Sequence, residues 1–123
     1  MLYSDIGRHG TLEKNLEISL LFDFYGQLLK EQQQKAISLY YNDDLSLSEI
    51  AYELNITRQG VRDSIKRGES QLYTYEEKLG LFERFRKTQS ALLSIENLAE
   101  KLTENYDKSL AEEIIATAKS LRE

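Results

Sequence analysis

The sequence predicts an all-α fold, and three observations carry that expectation. There is no proline and only six glycines among 123 residues. Apolar residues recur at spacings of three and four along most of the chain. Polar capping residues stand where several of those runs begin. The length suits one domain with a real core. The expected organisation is a single all-α domain over 11–123, with a helix-turn-helix core at 30–70 and C-terminal helices over 88–121, after a flexible leader or tag remnant at 1–10. With 41% hydrophobic and 30% charged residues, the composition is that of a globular chain rather than a disordered one.

Residues 12–29 read as the first helix, with Thr11 a candidate cap and Leu16, Leu20, Leu21, Phe24, Tyr25 and Leu28 as a broad apolar stripe. A second helix over 31–41 is expected to bury Ala36, Ile37 and Tyr40 or Tyr41. The Asn42-Asp43-Asp44 cluster stops it, because short polar side chains bond their own backbone.

The most informative stretch is 46–67. Ser46 and Glu49 fit a capping box, in which hydroxyl and carboxylate each satisfy an orphan N–H at a helix start. Ile50, Ala51 and Leu54 supply a short apolar face, and Ala51 is small where two helices cross. Asn55 tolerates the left-handed conformation that ends a helix, Ile56 plugs the turn, and Thr57 caps the next helix. On that helix Val61 and Ile65 face inward, while Arg58, Arg62 and Lys66 repeat every four residues on another face. This is a helix-turn-helix, the arrangement that presents a helix to a nucleic-acid groove.

Beyond it, Val61, Ile65, Gly68, Leu72, Tyr75, Leu79 and Phe82 alternate at spacings of four and three, a heptad seam in which Gly68 leaves a hole. The same helix is therefore expected to run to about residue 85. Gly60, Gly68 and Gly80 each weaken it by about 1 kcal/mol relative to alanine, so a kink or break is expected at Gly68 or Gly80. The seam has two readings: packing on the protein's own helices, or pairing with a second copy as a homodimer. Two more helices close the chain. One spans 90–105 with Leu92, Ile95, Leu98, Ala99 and Leu102 inward. The other opens on a Ser109/Glu112 capping box and places Leu110, Ile114, Ala118 and Leu121 on one side.

Little in the chain suggests catalysis. It has no cysteine and a single histidine, His9, so no thiolate chemistry, no cysteine zinc site and no nucleophile–base pair on those residues is expected. The pairs Asp43-Asp44, Glu76-Glu77 and Glu112-Glu113 are adjacent, and helical neighbours point about 100° apart, so none forms a shared carboxylate site. No cofactor and no metal are expected. No apolar run approaches the roughly 20 residues of a membrane span, which leads to the expectation of a cytoplasmic protein without membrane insertion. Of the eight tyrosines, Tyr25, Tyr40, Tyr52, Tyr73 and Tyr75 lie at or beside apolar helical positions and read as core or core edge. Tyr41 borders the turn into the helix-turn-helix.

The net charge of −5 argues against nucleic-acid binding by the whole surface. Its distribution matters more. Residues 31–56 carry a net −4, whereas residues 57–70 carry +2. The positive field is confined to the second helix of the motif, where Thr57, Arg58, Gln59, Arg62, Lys66 and Arg67 are the candidate nucleic-acid contacts. Arginine and glutamine make bidentate contacts to base edges, and a threonine at a helix start reaches a phosphate.

From residue 21 to about 85 the chain resembles the YlxM family of small bacterial helix-turn-helix proteins. The resemblance rests on Leu21–Tyr25 (LFDFY), Leu39–Ala51 (LYYNDDLSLSEIA), Thr57–Arg67 (TRQGVRDSIKR) and Tyr75–Leu79 (YEEKL). It covers about half the chain, and the last forty residues match weakly. The family is similar in this unit to the fourth region of sigma factors. The recognition-helix motif falls on Thr57, Arg58, Gln59, Val61, Arg62, Asp63, Ile65, Lys66 and Arg67, and Gly60 stands where an alanine is expected. The resemblance implies a link to the signal recognition particle, because the family's genes neighbour that of the particle's GTPase, Ffh. The expected function is a non-enzymatic DNA-binding regulator associated with that pathway. The alternative is an accessory module that binds the particle's RNA or Ffh without recognising DNA.

Overall fold

The computed structural model describes residues 14–122. The expectations for residues 1–10, for His9 and for a Thr11 cap lie outside them. The described residues are all-α: six helices and two short helical turns, with no strand. They divide into two compact units, the first ending at Phe82 and the second beginning at Glu83.

In the first unit, α1 spans Lys14–Tyr25 and gives way to a 3-10 turn, Gly26–Leu28, short of the expected end at residue 29. Its stripe buries Ile18, Leu21 and Tyr25, while Leu28 is exposed. The next helix, α2, spans Glu31–Ile37 and buries Gln33, Ala36 and Ile37. Its continuation differs from an ordinary helix: Ser38–Asn42 form a π-helical turn, which carries Tyr40 and Tyr41. Asp44 then adopts a left-handed conformation, with φ 55°.

The helix-turn-helix forms as its local chemistry dictates. α3 spans Leu47–Leu54 and opens on the full capping box, with Glu49 N–H donating to Ser46 Oγ at 3.1 Å and Ser46 N–H donating to Glu49 Oε1 at 2.8 Å. The two bonds to Ser46, the backbone one first, hold the Glu49 carboxyl below its usual pKa. Asn55 ends α3 in the left-handed region at φ 56°, and Ile56 packs against the core in the turn. α4 spans Arg58–Leu79 and starts on Thr57, whose Oγ1 accepts from Gly60 N–H at 2.9 Å.

Two glycines shape the rest of α4. Gly68 is not a hole. It is buried, and a Cβ there would stand 2.4 Å from Ile37 Cδ1 of α2, so the seam is filled by a neighbouring helix. Gly80 is the break: it caps α4 at φ 62°, a region that disfavours side chains. The long helix therefore stops at Leu79 rather than near residue 85, and α5 begins at Leu81, nine residues earlier than expected. Val61, Ile65 and Leu72 are buried, Tyr75 is half-buried, and Leu79 is exposed. Phe82 belongs to α5, is fully buried, and meets Phe24 edge-to-face at 5.6 Å. The stretch from Val61 to Leu72 thus finds its apolar neighbours within its own unit.

Three tyrosine phenols donate to three glutamates across this unit: Tyr25 to Glu76 at 2.5 Å, Tyr41 to Glu69, and Tyr73 to Glu17. Tyr52 does not join them; it is 88% exposed on α3, contrary to its expected place at the core edge. Burial first, then the glutamate bond, pushes each of the three phenols above the usual tyrosine pKa of about 10. The unfolded chain therefore ionises these three tyrosines near pH ~10 while the folded chain still holds their protons. The stability these phenols contribute is whole below pH ~10 and is lost as the pH rises toward the folded values. Denaturant unfolding measured across a pH range from about 8 to 11.5 is expected to show a decline setting in near pH 10. The Tyr41→Phe/Tyr73→Phe variant should flatten that decline. An unchanged slope in the variant would remove these phenols as its cause.

The second unit contains the rest of α5 (Leu81–Glu104) and α6 (Lys108–Ser120). Asp107 caps α6 by accepting from Ser109 N–H at 2.8 Å, in place of the expected Ser109/Glu112 box. Ile95, Leu98, Leu102, Leu110 and Ile114 are half-buried, as an inward stripe requires. Leu92, Ala99, Ala118 and Leu121, expected on the same faces, are exposed. A unit of two helices has no third element to cover more than a narrow stripe on each.

Candidate nucleic-acid interface

α4 carries the basic face, and its orientation is set by burial. Val61, Ser64, Ile65 and Gly68 turn one side of the helix into the core. Arg58, Arg62, Lys66 and Arg67 are consequently exposed, and none pairs with a carboxylate among the described residues. Arg58, Arg62 and Lys66 form a row at four-residue spacing. Like charges so placed repel, costing an isolated helix about 0.2–0.5 kcal/mol per pair.

Thr57 and Gln59 have partners already. The Thr57 hydroxyl accepts from Gly60 N–H, which leaves its own O–H to donate to a phosphate oxygen. Gln59 donates through Nε2 to Asp63 Oδ1 at 3.0 Å, so its carboxamide is held along the helix surface by its own neighbour. Gly60 is an ordinary helical residue here, and a Cβ on it would approach the Thr57 hydroxyl to 3.2 Å. The glycine leaves the cap uncrowded.

The other helix of the motif has the opposite character. Glu49, Tyr52 and Glu53 line a shallow hollow on α3 together with Leu45 and Ser48. The two carboxylates there repel a polyanion.

Beside the basic row lies a cavity of about 250 Å³ lined by Lys14, Asn15, Tyr40, Tyr41, Leu47, Arg62, Ile65, Lys66 and Glu69. Lys14 Nζ stands 3.2 Å from Glu69 Oε1. Arg62 and Lys66 belong to the basic row that the sequence shows, whereas nothing in the sequence places Lys14, Asn15 and Tyr40 beside them. No local signal connects them, because α1, the π turn and α4 are brought together only by packing.

A helix-turn-helix of this build, with an exposed basic second helix on a small all-α unit, defines the class. The family model described as "Putative helix-turn-helix protein, YlxM / p13 like" (UPF0122) matches residues 12–115, and this chain belongs to that family. The match continues well past residue 85, so the family likeness takes in most of the C-terminal unit, which the sequence segments alone did not indicate. The UPF0122 protein of Halalkalibacterium halodurans is 44% identical over 110 residues, 89% of this chain and 95% of that protein. A UPF0122 protein of Desulforamulus reducens is 45% identical over 105 residues, covering 85% of this chain and 86% of the relative. One from Bacillus velezensis is 47% identical over 94 residues, 76% and 86% of the two chains. Among the described residues no helix is long and apolar enough to cross a membrane.

Proposed function

We propose that this chain is a non-enzymatic, cytoplasmic nucleic-acid-binding protein that works through the basic face of α4, as a DNA-binding regulator tied to the signal recognition particle pathway. One observation carries the binding reading. The row Arg58, Arg62, Lys66, extended by Arg67, is exposed, unpaired among the described residues and mutually repulsive on a chain whose net charge is −5. A polyanion relieves that repulsion and releases its own counterions on docking. Thr57 and the arginines supply the phosphate and base-edge chemistry. The link to the particle rests on the family resemblance.

Fluorescence anisotropy with mixed duplex DNA and with the particle's RNA, across salt concentrations, tests the reading. Binding is expected to weaken with salt, and the Arg58→Ala/Arg62→Ala variant should lower the log–log slope by about 0.9 for each phosphate that it no longer neutralises. An arginine that reads a base contributes about 1–3 kcal/mol. A preference for duplex DNA supports the regulator, and a preference for the RNA supports an accessory role. Absence of binding to both at low salt sinks the nucleic-acid reading.

A second reading is favoured by the surface around Tyr52. An 88% exposed aromatic flanked by Glu49 and Glu53 suits a basic protein partner such as Ffh. Association with Ffh that survives Arg58→Ala/Arg62→Ala and is lost in Tyr52→Ala would support it.

A further inference from the structure

We propose that the cavity between α1, the π turn and α4 is a nucleotide site, taking one planar base against Tyr40 with its phosphate on Arg62 and Lys66. The proposal extends the reading of α4 as a nucleic-acid surface, with which it shares those two cations, but the site has a construction of its own.

Its parts divide the work as a nucleotide requires. Leu47 and Ile65 give the cavity apolar walls, and Ile65 is nearly fully buried. Tyr40 is 38% exposed, so its ring is open to a ligand while being held edge-to-face on Tyr41 at 5.0 Å. Tyr41 is anchored in turn by its phenol, which donates to Glu69. A base gains most from an aromatic ring that is already fixed, because less freedom is lost on stacking. Asn15 offers both a donor and an acceptor to a base edge. Three cations face one carboxylate. That carboxylate makes its ion pair with Lys14 through Oε1 and accepts from Tyr41 on Oε2, so three cations against one carboxylate leave the cavity with a positive balance.

Two further features agree. The volume of about 250 Å³ is below the roughly 300–1,000 Å³ of sites for drug-sized ligands, which suits a single base rather than a dinucleotide. Both tyrosines sit on the π-helical turn Ser38–Asn42, a rare geometry that occurs disproportionately at functional sites. The nucleotide can be free, or it can be an unpaired residue of an RNA whose duplex lies along α4. The chemistry recognised is the same, and the experiment separates the sources.

The intact chain is titrated with AMP, GMP, CMP, UMP and inorganic phosphate, followed by amide NMR shifts. In parallel, anisotropy compares an RNA hairpin with the same hairpin carrying one bulged nucleotide. A fixed aromatic platform is expected to favour the bulged RNA by about 5–150-fold, the equivalent of 1–3 kcal/mol per stacked base. Tyr40→Ala should abolish that preference and Tyr40→Phe should keep it, while Arg58→Ala lowers affinity for both RNAs alike. A saturable response to mononucleotides that needs Tyr40, with no preference for the bulge, assigns the site to a free nucleotide. Inorganic phosphate shifting the same amides as strongly as the nucleotides, or a Tyr40→Ala protein indistinguishable from the parent in every titration, overturns the proposal. If Tyr40 has no effect but salt-sensitive, Arg58-dependent binding persists, the nucleotide site fails and the α4 reading stands. If neither RNA binds but mononucleotides still do through Tyr40, the reverse holds.

Discussion

Replacing Tyr25 by alanine is expected to destabilise the first unit by roughly 3–5 kcal/mol, the range for removing a fully buried aromatic. That is a large share of the roughly 5–15 kcal/mol that holds a typical domain. Tyr25 does more than fill space. Its ring is entirely buried, lying 6.2 Å from Phe24 and 5.9 Å from Tyr75. Its hydroxyl donates to Glu76 Oε1 at 2.5 Å and accepts from Leu81 N–H at 3.0 Å. Phe82 N–H donates to the same Glu76 oxygen at 3.1 Å. One phenol and one carboxylate thus satisfy two of the orphan donors at the start of α5, just past the break at Gly80. Tyr25→Phe keeps the packing and removes the hydroxyl. It leaves the Leu81 donor without this acceptor and is expected to cost about 1–3 kcal/mol. Denaturant midpoints of the two variants, at unchanged m-value, check both figures. Equal losses for phenylalanine and alanine would mean that the ring contributes nothing beyond its hydroxyl.

The second large effect is expected at Gly68. A methyl group there stands 2.4 Å from Cδ1, the far end of the Ile37 side chain, and Ile37 is itself fully buried, so a larger side chain has to push it into the surrounding core. Gly68→Val should therefore lose about 2–3 kcal/mol to overpacking, although valine is the better helix former by a few tenths of a kcal/mol. The mechanism has its own signature. Ile37→Ala alone leaves a cavity and costs about 2–5 kcal/mol. Combined with Gly68→Val it makes room for the new side chain, so the double variant should be more stable than the two losses added together, by about 0.5–3 kcal/mol. Strict additivity would place the effect of Gly68 somewhere other than the contact between α2 and α4.

The same glycine marks the limit of what periodicity encodes. Along α4 the positions Val61, Ile65 and Leu72 were legible as one inward face, since their spacing is a property of the helix alone. Gly68 falls in that row, and in one dimension a glycine there is an omission. In three dimensions it is a point where the Ile37 side chain of α2 fills the space a side chain would need. Gly80 was legible as a weak point, but only the left-handed backbone it adopts shows that the helix ends there. The π turn was not legible either: Ser38–Asn42 continues the apolar rhythm of α2, and nothing in that rhythm marks the change in hydrogen bonding.

For the site the division is similar. The row Arg58, Arg62 and Lys66 could be read directly, because four-residue spacing on a capped helix places side chains on one face. The cavity beside it could not, because Lys14, Asn15, Tyr40 and Glu69 are far apart in sequence. Tyr52 looks like a core-edge residue from its neighbours in sequence, yet it is 88% exposed on α3.

By itself, then, the sequence determined the helical class, the capped start of α3, the left-handed Asn55, the Thr57 cap and the basic face of α4. These depend on interactions within about four residues, which local chemistry controls. Only the tertiary structure decided that Ile37 fills the gap at Gly68, that Tyr25 and Glu76 cap α5, and that two tyrosines and three cations enclose one cavity. Those contacts join groups separated by tens of residues, and they exist because burying the apolar faces of α1, α2 and α4 together leaves few other arrangements.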